Sequence, residues 1–271
     1  MCGRYIVVSK LEKIEKRFNA KSNDTEQLEA NFNVSPGDRA PIITIEDPSK
    51  IQFFRFGLQP FWAKKPMYLI NARSEGDYNK ENDPNYKGKL GIKDKPSFRK
   101  AFRSQRCLVP ADAFIEGTVK EKLSKPFVVY PINKLDRPFA MAGLYDHWIN
   151  QESGEIISSY SIITTTATPL LRLLPHHRSP VVFASSEEEA IWLNPNSSIA
   201  DLEYVLKPDQ DVKFNAYPID PAIKNPRLKD KSLIEPIGER VLKEYDYVLH
   251  KDIELVGMGM SPARKRKLDN E

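Results

Sequence analysis

Met1-Cys2-Gly3-Arg4-Tyr5-Ile6-Val7-Val8 opens the chain and joins a reactive residue to a β-prone run. Residues 5–8 read as a short strand that would anchor Cys2 in a sheet. An initiator methionine is normally removed when a small residue follows, which would leave Cys2 as the N-terminus. That residue would then carry a free α-amine and a free thiol on adjacent carbons. The amine has an ordinary pKa of about 7.7–8.0 and the thiol one of about 8.5, so both are partly deprotonated near neutrality. Such a 1,2-aminothiol attacks an aldehyde through nitrogen to give an imine. The sulfur then closes on the same carbon to give a thiazolidine ring. No side chain elsewhere in a chain can do this. A cysteine after the initiator also arises by accident, so the remaining sequence has to decide.

The 271 residues include 40% hydrophobic side chains, enough for a substantial core, and 29% charged ones, which suits a chain in water. No stretch approaches the roughly 18 apolar residues of a membrane span, and no apolar leader opens the chain. A reducing compartment is therefore expected: the cytoplasm, DNA-associated, or the nucleus of a eukaryotic cell. Cys2 and Cys107 are the two cysteines and lack metal-type spacing. Neither a metal nor a cofactor is expected, and a disulfide between them would consume the thiol of the opening motif. A net charge of +4 permits nucleic acid without arguing for it, so any basic site must be local.

Ser9 followed by Glu12 reads as a capping box opening a helix with Leu11, Ile14 and Phe18 on one face. Residues 32–37 read as a turn into a strand over 40–45, and 51–58 as its antiparallel partner. Residues 75–95 have no apolar period and read as a long surface loop. A short helix starts at Ser97, then strands follow at 107–110, 126–130, 139–144 and 158–165. Ser185-Ser186 before three glutamates caps a helix, residues 198–206 form a second, and 212–219 is the last clear strand. Arg264-Lys265-Arg266-Lys267 reads as a solvated basic tail. The simplest organisation is one domain over residues 2–240, of many short strands and few helices, and a flexible extension over 241–271.

Four polar islands carry chemistry. Gly57-Leu58-Gln59-Pro60-Phe61-Trp62-Ala63-Lys64-Lys65 sets Trp62 on a corner before lysines, suited to stacking a base or to an ordinary core turn. Asn71-Ala72-Arg73-Ser74-Glu75 clusters an amide and a guanidinium at a strand end, where sites and simple caps both occur. In Val109-Pro110-Ala111-Asp112-Ala113-Phe114-Ile115-Glu116, the carboxyl of Glu116 would gain a raised pKa if carried inward; a surface glutamate is the plainer reading. Pro175-His176-His177-Arg178-Ser179-Pro180 offers two imidazoles for proton transfer and an arginine for a phosphate.

Together these islands resemble the SRAP family, the SOS-response-associated peptidases or abasic-site-processing proteins. The resemblance runs in order through Met1-Cys2-Gly3-Arg4-Tyr5, Phe32-Asn33-Val34-Ser35-Pro36 and Arg55-Phe56-Gly57-Leu58-Gln59-Pro60-Phe61-Trp62-Ala63-Lys64. It continues through Asn71-Ala72-Arg73-Ser74-Glu75, Arg106 to Glu116, Ala140 to Leu144, Ile163-Thr164-Thr165, His176 to Pro180 and Leu233-Ile234-Glu235-Pro236. The family usually has Trp at Phe56, Tyr-Glu-Trp at Ile115-Glu116-Gly117, and Met at Ser179. None of these departures removes a reactive group, although the missing Trp at Gly117 would loosen the wall around Glu116.

The resemblance implies an α+β fold, a single domain of mixed, mostly antiparallel sheets curled into an open barrel-like shell with a few short helices. It implies a monomer that binds single-stranded DNA and crosslinks Cys2 to an abasic deoxyribose, whose open form is the aldehyde that an aminothiol seeks. Cys2 is then the nucleophile, His176 and Glu116 move protons, and Asn71 orients the sugar or the amine. Arg4, Arg73 and Arg178 hold phosphates and Trp62 stacks on a base. The imine stage would also permit β-elimination, a lyase activity, and the loss of Met1 would fit self-processing. The competing expectation is a thiol peptidase with Cys2 as nucleophile beside His176 and Glu116.

Overall fold

Apolar residues recur in short runs punctuated by Pro, Gly and Asn, and the chain answers with strands rather than long helices. The computed structural model describes residues 2–23, 28–207, 212–246 and 251–252; the basic run Arg264 to Lys267 lies outside them. The strands are β1 (Arg4–Val7), β2 (Asn31–Val34), β3 (Arg39–Thr44), β4 (Ile51–Phe56) and β5 (Asn71–Arg73). After these come β6 (Arg106–Ala111), β7 (Ala113–Thr118), β8 (Lys122–Pro131), β9 (Phe139–Ile149), β10 (Ile156–Thr166), β11 (Arg178–Pro180) and β12 (Phe214–Pro218). A two-residue pair, β13 (Tyr245–Asp246) and β14 (Lys251–Asp252), follows. The α-helices are α1 (Leu11–Phe18), α2 (Arg99–Ser104), α3 (Pro169–Leu173), α4 (Ser186–Leu193) and α5 (Ile199–Val205).

The strands form an α+β fold with two main sheets. One is open, in the order β12-β8-β7-β1-β2, and every pairing in it is antiparallel. The other closes on itself: β10 pairs β4, β4 pairs β3, β3 pairs β6, β6 pairs β9, and β9 returns to β10. The shell read from the sequence as open is thus a closed ring of five strands, and a closed ring exposes no hydrogen-bonding edge. Strand β6 is buried on both faces throughout, with α2 and α4 packed on it, whereas β4 alternates buried and partly exposed residues. Arg106 shows how that cover is fastened. It is 1% exposed, yet its guanidinium donates to the carbonyls of Phe102, Arg103, Trp192 and Asn194, the otherwise unmet acceptors at the ends of α2 and α4.

Several local expectations change. No capping box forms at Ser9, because Asp112 draws that residue away: its carboxylate accepts Val8 N and Ser9 N, each at 2.7 Å, and Ser9 Oγ at 2.5 Å. Helix α1 starts later, at Leu11, behind an N-cap Lys10 without a side-chain cap. Part of the segment read as a turn over 32–37 is β2, paired with β1, and the turn follows at 36–37. Residues 178–180, where no strand is expected from sequence, form β11 against the end of β10. The cap at Ser185 forms as read, and Ser198 caps the second helix as well, each accepting a backbone N–H of its helix. Among the described residues no helix is long and apolar enough to cross a membrane.

Candidate functional site

The site forms where the two sheets meet, and strand register explains why. Strand β1 lies antiparallel to β7 with Arg4 opposite Ile115 and Tyr5 opposite Phe114, which brings Cys2 to the end of β7 that carries Glu116. From the other sheet, β10 runs past the closed ring. Its residues 162–164 pair with Asn71, Ala72 and Arg73, while 164–166 pair with Pro180, Ser179 and Arg178. Strand β10 therefore delivers β5 on one edge and β11 on the other. A cleft of about 600 Å3 opens between these elements, with Arg4, Arg73, Glu116, His176, His177 and Arg178 among its walls.

Cys2 is fully buried, its Sγ 3.8 Å from the carbonyl oxygen of Arg4, and burial pushes the thiol pKa well up. Asn71 Nδ2 donates to the Cys2 carbonyl at 2.9 Å, so this amide holds Cys2 rather than facing open space. Glu116 is 3% exposed, and burial raises its pKa to about 7. His176 Nδ1 lies 2.7 Å from the carbonyl of Gly117; a carbonyl only accepts, so Nδ1 carries the proton and Nε2 presents a lone pair. That Nε2 stands 3.4 Å from Glu116 Oε2. Burial lowers the His176 pKa to about 3, so near neutrality the imidazole is uncharged. The contact is then a proton held between a carboxyl and an imidazole, not an ion pair. His177 stacks on His176 with ring centroids 5.2 Å apart and extends the same wall.

The three arginines differ in what they can do. Arg73 lines the cleft and donates to Asn79 O at 2.9 Å and Asn82 Oδ1 at 2.5 Å, which ties the long 75–95 loop to the site. Arg4 is half-buried on the cleft wall and is gripped by Asn33 Oδ1, Ser35 Oγ and, at 2.9 Å, Lys224 O. Arg178 is 1% exposed and makes a bidentate pair with Glu75 at 3.1 and 2.9 Å, with Thr164 O a further 2.7 Å contact. A phosphate could displace nothing of this cheaply, so Arg178 stands as a brace of the wall rather than the phosphate anchor read from the sequence. Among the described residues no group of His, Cys, Asp and Glu is arranged to hold a metal ion.

Trp62 lies away from these walls, on a turn closed by Ala63 N donating to Pro60 O at 2.9 Å. It is 46% exposed, which excludes the reading of it as a core residue on a turn.

The positions that depart from the resembled pattern have local causes. Phe56 is fully buried and stacks on Tyr160 at 5.3 Å, filling the ring interior. Ser179 Oγ accepts Thr168 N at 2.8 Å ahead of α3. At Gly117 the β7–β8 hairpin folds so closely that a Cβ would lie 1.8 Å from Lys122 O. No side chain fits there, and the Gly117 carbonyl that fixes His176 comes from that same residue. Glu75, Asn33 and Gly117 were given no role from sequence. Their partners lie 103, 29 and 59 residues away, and local pattern carries no signal over such distances.

Comparison with known proteins places these features in context. The family model described as SOS response associated peptidase (SRAP) matches residues 1–226. An abasic site processing protein of Bacillus subtilis, YoqW, is 32% identical over 244 residues, spanning 87% of this chain and 99% of that one. The abasic site processing protein HMCES of Xenopus tropicalis is 24% identical over 77% of this chain and 67% of its own. A crystal structure of a Bacteroides thetaiotaomicron protein superposes with a TM-score of 0.72 at 30% identity, covering 88% of this chain and all of that one.

Proposed function

Because this chain belongs to the SOS response associated peptidase (SRAP) family, we propose that it processes abasic sites in DNA, by joining Cys2 covalently to the lesion in a single strand. The observation that carries this reading is the pairing of Asn71 with Cys2 and of His176 with Glu116, the second pair on the wall of a cleft that Gly3 and three arginines also line. Removal of Met1, by the protein itself or by an aminopeptidase, frees the Cys2 amine. The open-chain deoxyribose presents an aldehyde at C1′. The amine adds to it, and loss of water leaves an imine. The thiol then adds across the C=N bond and closes the thiazolidine, so aldehyde and aminothiol give ring plus water.

Each step moves a proton, and the Glu116–His176 pair suits both directions. A carboxyl with a pKa of about 7 is partly protonated near neutrality, able to donate to a departing hydroxyl and to accept from the thiol. The raised Cys2 pKa keeps the sulfur protonated until that base acts. Asn71 holds the Cys2 carbonyl and so aims its amine. Arg4 and Arg73 meet flanking phosphates, which position a strand without reading its sequence. Trp62 stacks on a neighbouring base. At the imine stage, proton loss from C2′ opens a β-elimination route and gives a secondary lyase activity. The functional unit is the domain within residues 2–240. A thiol peptidase is less well supported, since His176 directs Nε2 at Glu116 and Nδ1 at Gly117, whereas a cysteine–histidine pair needs an imidazole nitrogen on sulfur.

The experiment is direct. Protein lacking Met1 is mixed with single-stranded DNA bearing one abasic site and run on a denaturing gel. A slow band is expected without any reductant. The absence of that band, with binding intact, would contradict the covalent reading.

A further inference from the structure

The turn that carries Trp62 also carries Phe61, and the two rings are 51% (Phe61) and 46% (Trp62) exposed. Their presentation is fixed at several points. Phe61 N donates to Asp146 Oδ2 at 2.9 Å, Gln59 N to Ser159 Oγ at 2.9 Å, and Trp148 Nε1 to Ala63 O at 2.6 Å. Two aromatic rings held outward on so firm a turn leave apolar surface in water, which a chain avoids unless something covers it. The Lys100 ammonium of α2 sits 4.0 Å from the centre of the Phe61 ring. That contact joins the turn to a helix whose outer face is basic: Arg99, Lys100 and Arg103 are all exposed, one helical turn apart or less. The side chains of Arg99 and Arg103 meet no carboxylate among the described residues. Lys100 Nζ makes a loose 3.9 Å ion pair with Asp146, whose carboxylate is 5% exposed and already engaged by Phe61 N, Gln105 Nε2 and His147 N. Lys64 and Lys65 follow the turn and are exposed as well.

We propose that Phe61 with Lys100, continued by Arg99 and Arg103 along α2, forms a second surface for single-stranded DNA, outside the cleft. It takes the strand that flanks the lesion, and in this it rests on the reading of the cleft given above. Unpaired bases stack on exposed rings whatever their sequence, while cations spaced along a helix follow the phosphates. An acidic peptide would satisfy the cations but would not need paired aromatic rings. A duplex would satisfy the cations too, but its bases are already stacked.

The test compares wild type with the double variant Lys100→Glu/Arg103→Glu and with Phe61→Ala, all at exposed positions. Three probes are used: an abasic trinucleotide that reaches only the cleft, a single strand of about 16 nucleotides with a central abasic site, and the same strand undamaged. The variants are expected to attach to the trinucleotide at the wild-type rate. On both long strands the charge reversal should weaken binding by about tenfold or more and lower the log–log salt slope by about 0.7 for each phosphate no longer held. Phe61→Ala should weaken binding by about tenfold and leave the salt slope unchanged. Wild-type affinity and slope on the long strands would overturn the proposal, as would an equal loss on the trinucleotide, which would place the damage in the cleft. A wild-type protein that binds undamaged strands through this surface yet attaches to neither abasic probe would instead sink the cleft reading and leave the surface standing.

Discussion

Two buried carboxylates stand beside the same cleft, Glu116 in its lining and Glu75 behind Arg178. Glu75 is 2% exposed and Glu116 3%, so burial does not distinguish them. Their partners do. Glu75 meets the guanidinium of Arg178 in a two-point pair that ties the loop after β5 to β11. Glu116 meets an uncharged imidazole whose proton is turned away toward Gly117, and burial, working against the pull of the N-terminal amine, leaves its carboxyl with a pKa of about 7. The same side chain at the same depth is a rivet in one case and a group able to exchange protons in the other. A buried acid therefore points to chemistry only when its neighbour cannot settle its charge.

Substitutions should separate the two carboxylates. Glu75→Ala leaves Arg178 buried without its carboxylate, and unfolding by denaturant should show a loss of about 3–5 kcal/mol. Glu116→Gln keeps the shape and removes a costly ionisable group, so stability should hold or rise. Attachment to abasic single strands should slow by about 10²–10⁴-fold, measured at saturating DNA. A stability loss at Glu116 equal to that at Glu75 would erase the contrast.

The pH dependence sharpens it further. The folded-state pKa of Glu116, about 7, lies above the ordinary 4.5, so the folded chain binds the extra proton between them. The stability it contributes is full below about 4.5 and is lost as pH rises through 7. His176 acts with the opposite sign: its folded value of about 3 lies below 6.5, and stability is lost as pH falls through that window. Between about 4.5 and 6.5 the two slopes oppose and largely cancel, so denaturation midpoints should be nearly flat there in wild type and should rise with pH in Glu116→Gln, where only the His176 limb remains. Attachment rates should show an inflection near pH 7 in wild type that the same variant loses.

The smallest expected effect concerns the arginines. Arg73→Ala should lower the log–log salt slope of single-strand binding by about 0.7, the value for one phosphate. Arg178→Ala should leave that slope unchanged while lowering stability, because its guanidinium faces Glu75. A slope change at Arg178 would mean that the buried pair opens on binding.

Much of this arrangement was legible in the chain because its signals are local. Strands β3, β4, β6, β8, β9 and β10 announce themselves as apolar runs between turn residues. Ser185 caps its helix as spaced. The closure of the ring was not legible, since the parallel step from β4 to β10 joins residues about a hundred positions apart with no turn between them. The short strands β5 and β11 have no period to read and exist because β10 offers its edges. Ser9 misled for the same reason: a distant aspartate outbid the local cap, and Asp112 lies 103 residues away. At the site, Cys2, Asn71, Glu116 and His176 could be named one by one from chemistry and resemblance. That Arg178 braces the wall could not, because nothing in its own neighbourhood names Glu75.

The most direct test of the central claim is intact-mass measurement of the protein after incubation with an abasic single strand. Wild type should have lost one methionine and gained the mass of the strand less one water, with no reductant added. Cys2→Ala lacking Met1 keeps the amine without the sulfur, so it should attach stably only after borohydride reduces the imine, gaining the mass of the strand less one water plus two hydrogens. A wild-type chain that retains Met1 and still attaches fully, or a Cys2→Ala chain that attaches stably without borohydride, would contradict the account.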